Sequence, residues 1–214
     1  MVEKSAMKMG KKDSKHFLSI ADTIFAPIYP VIAEQIIKNT GISSGKALEI
    51  GCGPGHLGTS LAAVSELTVY ALDVSPDMIQ TCTERITEKG LSKKVIPTLG
   101  DVCEIPFDDE TFDVVFSRGS WFFWEDLSKG LKEIYRVLKP GGVSYVGGGF
   151  GNASLKRDIV EKMKERDPEF ENSIKERFIS RSPEVISSAL QKAGVKKYSI
   201  VDDDSGFWLM MERT

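Results

Sequence analysis

Short apolar stretches alternate with amphipathic ones along most of the chain, the pattern of βαβ units built on a parallel sheet. The apolar runs predict strands at Lys46–Ile50, Leu67–Asp73, Val95–Leu99, Phe112–Ser117 and Gly142–Gly148. Between them, helices are expected at His56–Ser65, Pro76–Lys89 and Glu125–Leu138. The second of these opens with Ser75 as N-cap, Pro76 at the first helical position and Asp77 in the first turn. The third carries Arg136 and Lys139 near its C-terminus, and "KPGG" is expected to stop it.

After the fifth strand the pattern changes. Residues 150–181 are dense in charge and read as one or two surface helices. Ser182, Pro183 and Glu184 then open a helix to Ala193, closed by Gly194. Two last strands, Lys197–Val201 and Phe207–Glu212, are joined by "DDDSG", short enough for an antiparallel hairpin. Ahead of the first strand, Phe25, Ile28, Tyr29 and Ile32 follow helical spacing interrupted by Pro27 and Pro30. With no internal repeat and no linker, the 214 residues read as one domain. Its expected parts are a flexible basic tail (1–18), an N-terminal lid (19–44), a core (45–149) and the charged insertion (150–181).

Composition narrows the function more than the fold. A net charge of -3 lacks the basic footprint of a dedicated nucleic-acid binder, so no DNA partner is expected. No apolar run approaches the ~20 residues needed to cross a bilayer, and the N-terminus lacks an apolar signal core. The expectation is a cytoplasmic protein without membrane insertion. Cys52, Cys82 and Cys103 are odd in number and widely spaced, and the only histidines are His16 and His56. Neither a disulfide framework nor a metal site is expected from that inventory. Composition does not fix the oligomeric state.

The stretch "ALEIGCGPGHLGTSLA", residues 47–62, carries the candidate chemistry. Gly51, Gly53 and Gly55 lie between a predicted strand and a predicted helix, as nucleotide-cofactor sites in doubly wound folds require. Asp73 ends the next strand, near the ~20-residue offset at which an acid hydrogen-bonds a ribose diol. A dinucleotide site competes with this reading, but its fingerprint is G-x-G-x-x-G. In addition, Asp101 ends a third strand beside the same crevice, where an acid suits an adenine amine better than a second phosphate.

Taken with "VYALDVSPDMI", "GDVCEIPF", "FDVVFSRG" and "EIYRVLKPGG", the glycine segment resembles the class I S-adenosylmethionine-dependent methyltransferases. The resemblance implies a Rossmann-like, doubly wound α/β sheet of order 3-2-1-4-5-7-6, its seventh strand antiparallel, with helices on both faces. It implies S-adenosylmethionine as cofactor and S-adenosylhomocysteine as product. Gly51, Gly53 and Gly55 would let the backbone approach the methionyl part, and Glu49 would organise the loop and help place the ammonium. Asp73 would take the ribose hydroxyls. Val74 and Met78 would line the adenine, Asp101 would accept from its amine, and Val102 would pack or donate there. Ser117 would face the methionyl end.

The acceptor is less legible. "SWFFWED" places four aromatics in succession after the fourth strand, and neighbouring positions cannot all face one core. Trp121 or Phe122 is expected to line the acceptor pocket, with Tyr29 as a lid residue. The glycines of "GGGFG", 147–151, would leave room for a ligand or permit a hinge. His56 either caps its helix or touches ligand, and Cys52 and Cys103 read as space-fillers. No motif names a general base, so the catalytic residues are unknown. The leading expectation is methyl transfer to a small-molecule acceptor by in-line displacement. Its rivals are a protein or RNA methyltransferase, and a catalytically silent S-adenosylmethionine-binding regulator.

Overall fold

The apolar runs do become strands, and the amphipathic ones cover them. In the computed structural model, which describes residues 18–214, seven strands form one sheet of order β3-β2-β1-β4-β5-β7-β6. The strands are β1 (Ser44–Ile50), β2 (Glu66–Asp73), β3 (Val95–Leu99), β4 (Phe112–Arg118), β5 (Leu138–Gly148), β6 (Lys197–Asp203) and β7 (Gly206–Glu212). The first five run parallel, and β7 pairs antiparallel with both β5 and β6. The basic tail expected before Ser19 lies, but for Leu18, outside the described residues.

The helices are α1 (Ile28–Thr40), α2 (His56–Ala63), α3 (Pro76–Glu88), α4 (Leu127–Val137), α5 (Ala153–Lys164), α6 (Phe170–Ile179) and α7 (Pro183–Ala193). One apolar layer joins α1, α2, α3 and α5 to the sheet through Ile32, Leu61, Ile86 and Ile159. The opposite layer joins α4 and α7 through Leu131, Ile134, Ile186 and Leu190. Successive strand residues point to opposite faces, so β4 supplies Phe116 to the first layer and Val115 to the second. A strand covered on both faces reads as a continuous apolar run, as the middle of β4 does over Val114, Val115 and Phe116.

Helix starts follow their caps. The Ser75 hydroxyl accepts from the Met78 N–H, and Asp126 accepts from Lys129 N–H at 3.0 Å. That second cap starts α4 at Leu127 and not at the expected Glu125, and the aromatic run before it forms a 3₁₀ turn at Trp121–Phe123. Pro30 sits in the first turn of α1, where its missing N–H leaves no helical bond unmade. The "KPGG" segment ends α4 as expected, but the chain passes directly into β5 at Leu138. Leu138 already pairs with Phe112, and Gly141 N–H donates to Arg213 O at 2.7 Å. The last hairpin is also tighter than expected, since Asp203 pairs with Gly206 and leaves Asp204 and Ser205 as the loop.

Candidate active site

The glycine loop bridges the C-terminal end of β1 and the start of α2. Gly51 and Gly55 take φ of 68° and 81°, a region side-chain-bearing residues avoid. A Cβ on Gly51 would also run into the Ser120 side chain, and one on Gly55 would lie 2.6 Å from Cys82 Sγ. The fold itself therefore demands glycine at both positions, before any ligand is considered. Asp73 holds the loop from the neighbouring strand: its carboxylate accepts from Gly53 N–H at 2.8 Å and from Ser75 N–H at 2.9 Å. Burial nonetheless pushes its pKa above the usual aspartate value.

Against this loop lies a cavity of about 50 Å³ bounded by Tyr29, Glu49, Gly51, Gly53, His56 and Arg118. Glu49 is buried, and its Oε2 has no hydrogen-bond partner. Burial raises its pKa well above the carboxylate range, and the nearby Gly58 amide offsets only part of this. His56 stacks on the Tyr29 ring, centroids 4.7 Å apart, and its Nε2 lies 2.7 Å from Asp22 Oδ1. Asp22, when ionised, only accepts, so Nε2 carries the proton and donates. Nδ1 is then a lone pair, buried without a partner. Desolvation, together with the Arg85 charge, lowers the His56 pKa to about 4. Arg85 also donates to Asp22, and to Pro54 O in the glycine loop at 2.8 Å.

Several sequence expectations meet here. Tyr29, Glu49, Gly51 and Gly53 come together at the cavity. Met78 and Val102 are buried, while Val74 is left 68% exposed. Asp101 is exposed, and its Oδ1 accepts from Cys103 N–H at 2.7 Å. Phe122 is half-buried and packs edge-on against Phe178 of α6, centroids 5.1 Å apart. The N-terminal segment, the turn after β4 and the insertion also converge. Phe25 packs near Phe150 and Phe170, and Arg181 donates to Trp121 O at 2.8 Å.

Three expectations need correction. Trp121 is 0% exposed and stacked on Phe207, a core residue and not a pocket wall. The Ser117 side chain is buried and does not line the cavity, its Oγ lying 2.6 Å from Ser120 Oγ behind Gly51. The pleat explains this, because the next residue, Arg118, is the one sent to the glycine-loop face. Gly147 and Gly149 are glycines because a Cβ would strike the backbone of Phe207 and Ser205 on the adjacent hairpin. Only Gly148 turns a bare face toward Phe122 and Phe178. Arg118, Asp22 and Arg85 were absent from the sequence reading. Alternation from the apolar Phe116 would have found Arg118. Nothing local marks Asp22 or Arg85, whose partners lie 34 and 63 residues from Asp22.

A larger, open hollow of about 760 Å³ lies where the strands start, near Lys46, Tyr70, Phe107 and Thr111. Ligands of open α/β sheets bind at the other end, outside the carboxyl ends of the strands. The glycine-loop cavity is at that end.

The strand order, reversed only at its last member, places the molecule among doubly wound proteins that bind a nucleotide-type cofactor at the β1–β4 crevice. A family model described as a methyltransferase domain matches residues 48–146. A solved structure from Methanococcus maripaludis (mmp1179), assigned as an S-adenosyl-L-methionine-dependent methyltransferase, superposes with a TM-score of 0.93. It is 39% identical, and the match covers 100% of this chain and 97% of that one. The uncharacterized methyltransferase YdaC of Bacillus subtilis (strain 168) is 33% identical over 125 residues, 58% of this chain and 67% of that protein. The sterol 24-C-methyltransferase erg6 of Aspergillus fumigatus is 34% identical over 134 residues, 61% of this chain. The chain spans only 35% of that sterol enzyme's length. Within its class the chain belongs to the S-adenosylmethionine-dependent methyltransferases.

Proposed function

We propose that this protein transfers a methyl group from S-adenosylmethionine to a small-molecule acceptor and releases S-adenosylhomocysteine. The observation that carries the cofactor reading is the buried, unpartnered Oε2 of Glu49 beside the glycine loop. A lone buried carboxylate oxygen is costly unless a donor or cation meets it. An ammonium or a sulfonium at that position would do so. When bound, the cofactor supplies a methyl group on a positively charged sulfur.

The rest of the site supports the same ligand. Asp73 uses one hydrogen bond on each oxygen, which leaves lone pairs on both for a ribose diol. The exposed Val74 and the buried Met78 and Val102 offer an apolar wall to the adenine. Asp101 keeps Oδ2 free of described partners and open to an exocyclic amine. The cavity as it stands has room for a few waters at most, so Tyr29 and the segment before it must move to admit a ligand.

In a methyl transfer the chain's work is alignment of the acceptor and exclusion of water. The half-buried Phe122, whose ring lies against Gly148, forms the wall we assign to the acceptor. A small molecule is favoured because aromatic side chains of the lid, turn and insertion pack together over this region, Phe25 with Phe150 and Phe170, and Phe122 with Phe178. The relative named as a sterol 24-C-methyltransferase supports the same class. The test is transfer of labelled methyl from S-adenosylmethionine in a cell extract fractionated into metabolites, protein and RNA. Label in the metabolite fraction supports the proposal. Label confined to protein or RNA supports the first rival, and cofactor binding without transfer to any fraction supports the silent regulator.

A further inference from the structure

The glycine-loop cavity brings together a cation and a carboxylate, and neither is paired with an opposite charge among the described residues. Arg118 reaches it from the end of β4. Its Nε donates to Gly149 O at 3.1 Å, and the guanidinium lies over the Phe25 and Phe150 rings, 4.9 and 5.5 Å from their centroids. Those contacts fix the group and shield it. They use one N–H, and the terminal nitrogens have no acceptor among the described residues. Burial lowers the pKa of this arginine, yet a guanidinium stays charged at any ordinary pH. A half-buried cation with its fork unused is an anion receptor, and a planar carboxylate is the anion whose two oxygens match it.

Glu49 brings a carboxyl group into the same small cavity, with Gly51 and Gly53 beside it, and a cation meeting it there would favour its ionised form. A ligand that answers both groups carries a carboxylate and an ammonium on one carbon, which is the head group of an α-amino acid. We propose that Arg118 receives the α-carboxylate of the cofactor's methionyl end while Glu49 faces its ammonium. This rests on the cofactor reading above and adds to it the residue that selects an intact amino-acid head group. The competing view makes Arg118 a structural rivet between Phe25 and Phe150.

Calorimetry with four compounds separates the two: S-adenosylmethionine, S-adenosylhomocysteine, decarboxylated S-adenosylmethionine and 5′-deoxy-5′-methylthioadenosine. Arg118→Met is expected to weaken the first two by roughly tenfold to a hundredfold, the scale of a hydrogen bond to a charged group. It should leave the last two, which lack the carboxylate, within about twofold of wild type. Equal weakening of all four overturns the proposal in favour of the rivet. Unchanged binding of all four overturns it too, and a raised acceptor KM in that case would assign Arg118 to an acceptor's anion. Should Arg118→Met not fold, the wild-type protein suffices: affinity for decarboxylated S-adenosylmethionine equal to that for S-adenosylmethionine refutes the carboxylate contact. A wild type that binds none of the four overturns the cofactor reading itself, an outcome distinct from the others.

Discussion

His56 is the side chain whose protonation most directly links the site to stability. Its pKa is lowered from 6.5 to about 4, so between these values the unfolded chain binds a proton that the native protein refuses. The stabilisation is complete above pH 6.5 and is lost as the pH falls toward 4. Glu49 slopes the other way, because its raised pKa makes ionisation at higher pH unfavourable in the folded state. A variant therefore has to isolate the histidine. Relative to His56→Gln, wild type should lose up to about 2 kcal/mol between pH 7 and pH 5 in denaturant titrations. Parallel profiles for the two proteins would show that His56 is protonated in the native state. The aromatic run gives a second contrast. Trp121→Ala empties a core position and should destabilise the fold by about 3–5 kcal/mol. Phe122→Ala should stay folded, keep cofactor affinity within about threefold, and raise the acceptor KM or lower turnover. Normal turnover in Phe122→Ala would move the acceptor elsewhere. That neighbouring aromatics must diverge was legible in the sequence, but which one is buried was not. Phe207, the ring that covers Trp121, arrives from the far end of the chain.

The segment ahead of α1 packs Ile20, Ile24 and Phe25 into the core and is latched over the glycine loop by Asp22. Asp22 accepts from His56 on α2 and from Arg85 on α3, and Phe25 rests on the insertion's first aromatics. Charge-assisted bonds of this kind are worth about 1.5–3 kcal/mol when shielded and less when, as here, the carboxylate is partly exposed. Asp22→Ala is expected to speed hydrogen exchange in residues 18–29 and to raise the on- and off-rates of S-adenosylmethionine together, on the order of tenfold. Unaltered exchange in that segment would mean that packing, not the latch, holds it. Helix and strand existence was legible from apolar periodicity and caps such as Ser75 and Ser182. The start of β5 shifted because a distant partner decided it, as Arg213 does for Gly141. The two halves of the latch share no local pattern, so the sequence was silent about it.

Seven strands in one sheet place the ends of β1, β2 and β4 along a single edge, and the chemistry collects there. The strand order was legible only through the resemblance carried by the five motifs, since periodicity says nothing about which strands are neighbours. Charge complementarity within the cavity was not legible at all, because Glu49 and Arg118 meet only through the pairing of β1 with β4. Among the described residues no helix is long and apolar enough to cross a membrane. The central claim is that this edge binds S-adenosylmethionine, and the most direct measurement is a calorimetric titration of the wild-type protein with S-adenosylmethionine, S-adenosylhomocysteine and NAD. The prediction is a single site that takes both S-adenosyl compounds and shows no measurable affinity for NAD. Tight binding of NAD with no measurable affinity for S-adenosylmethionine would contradict it.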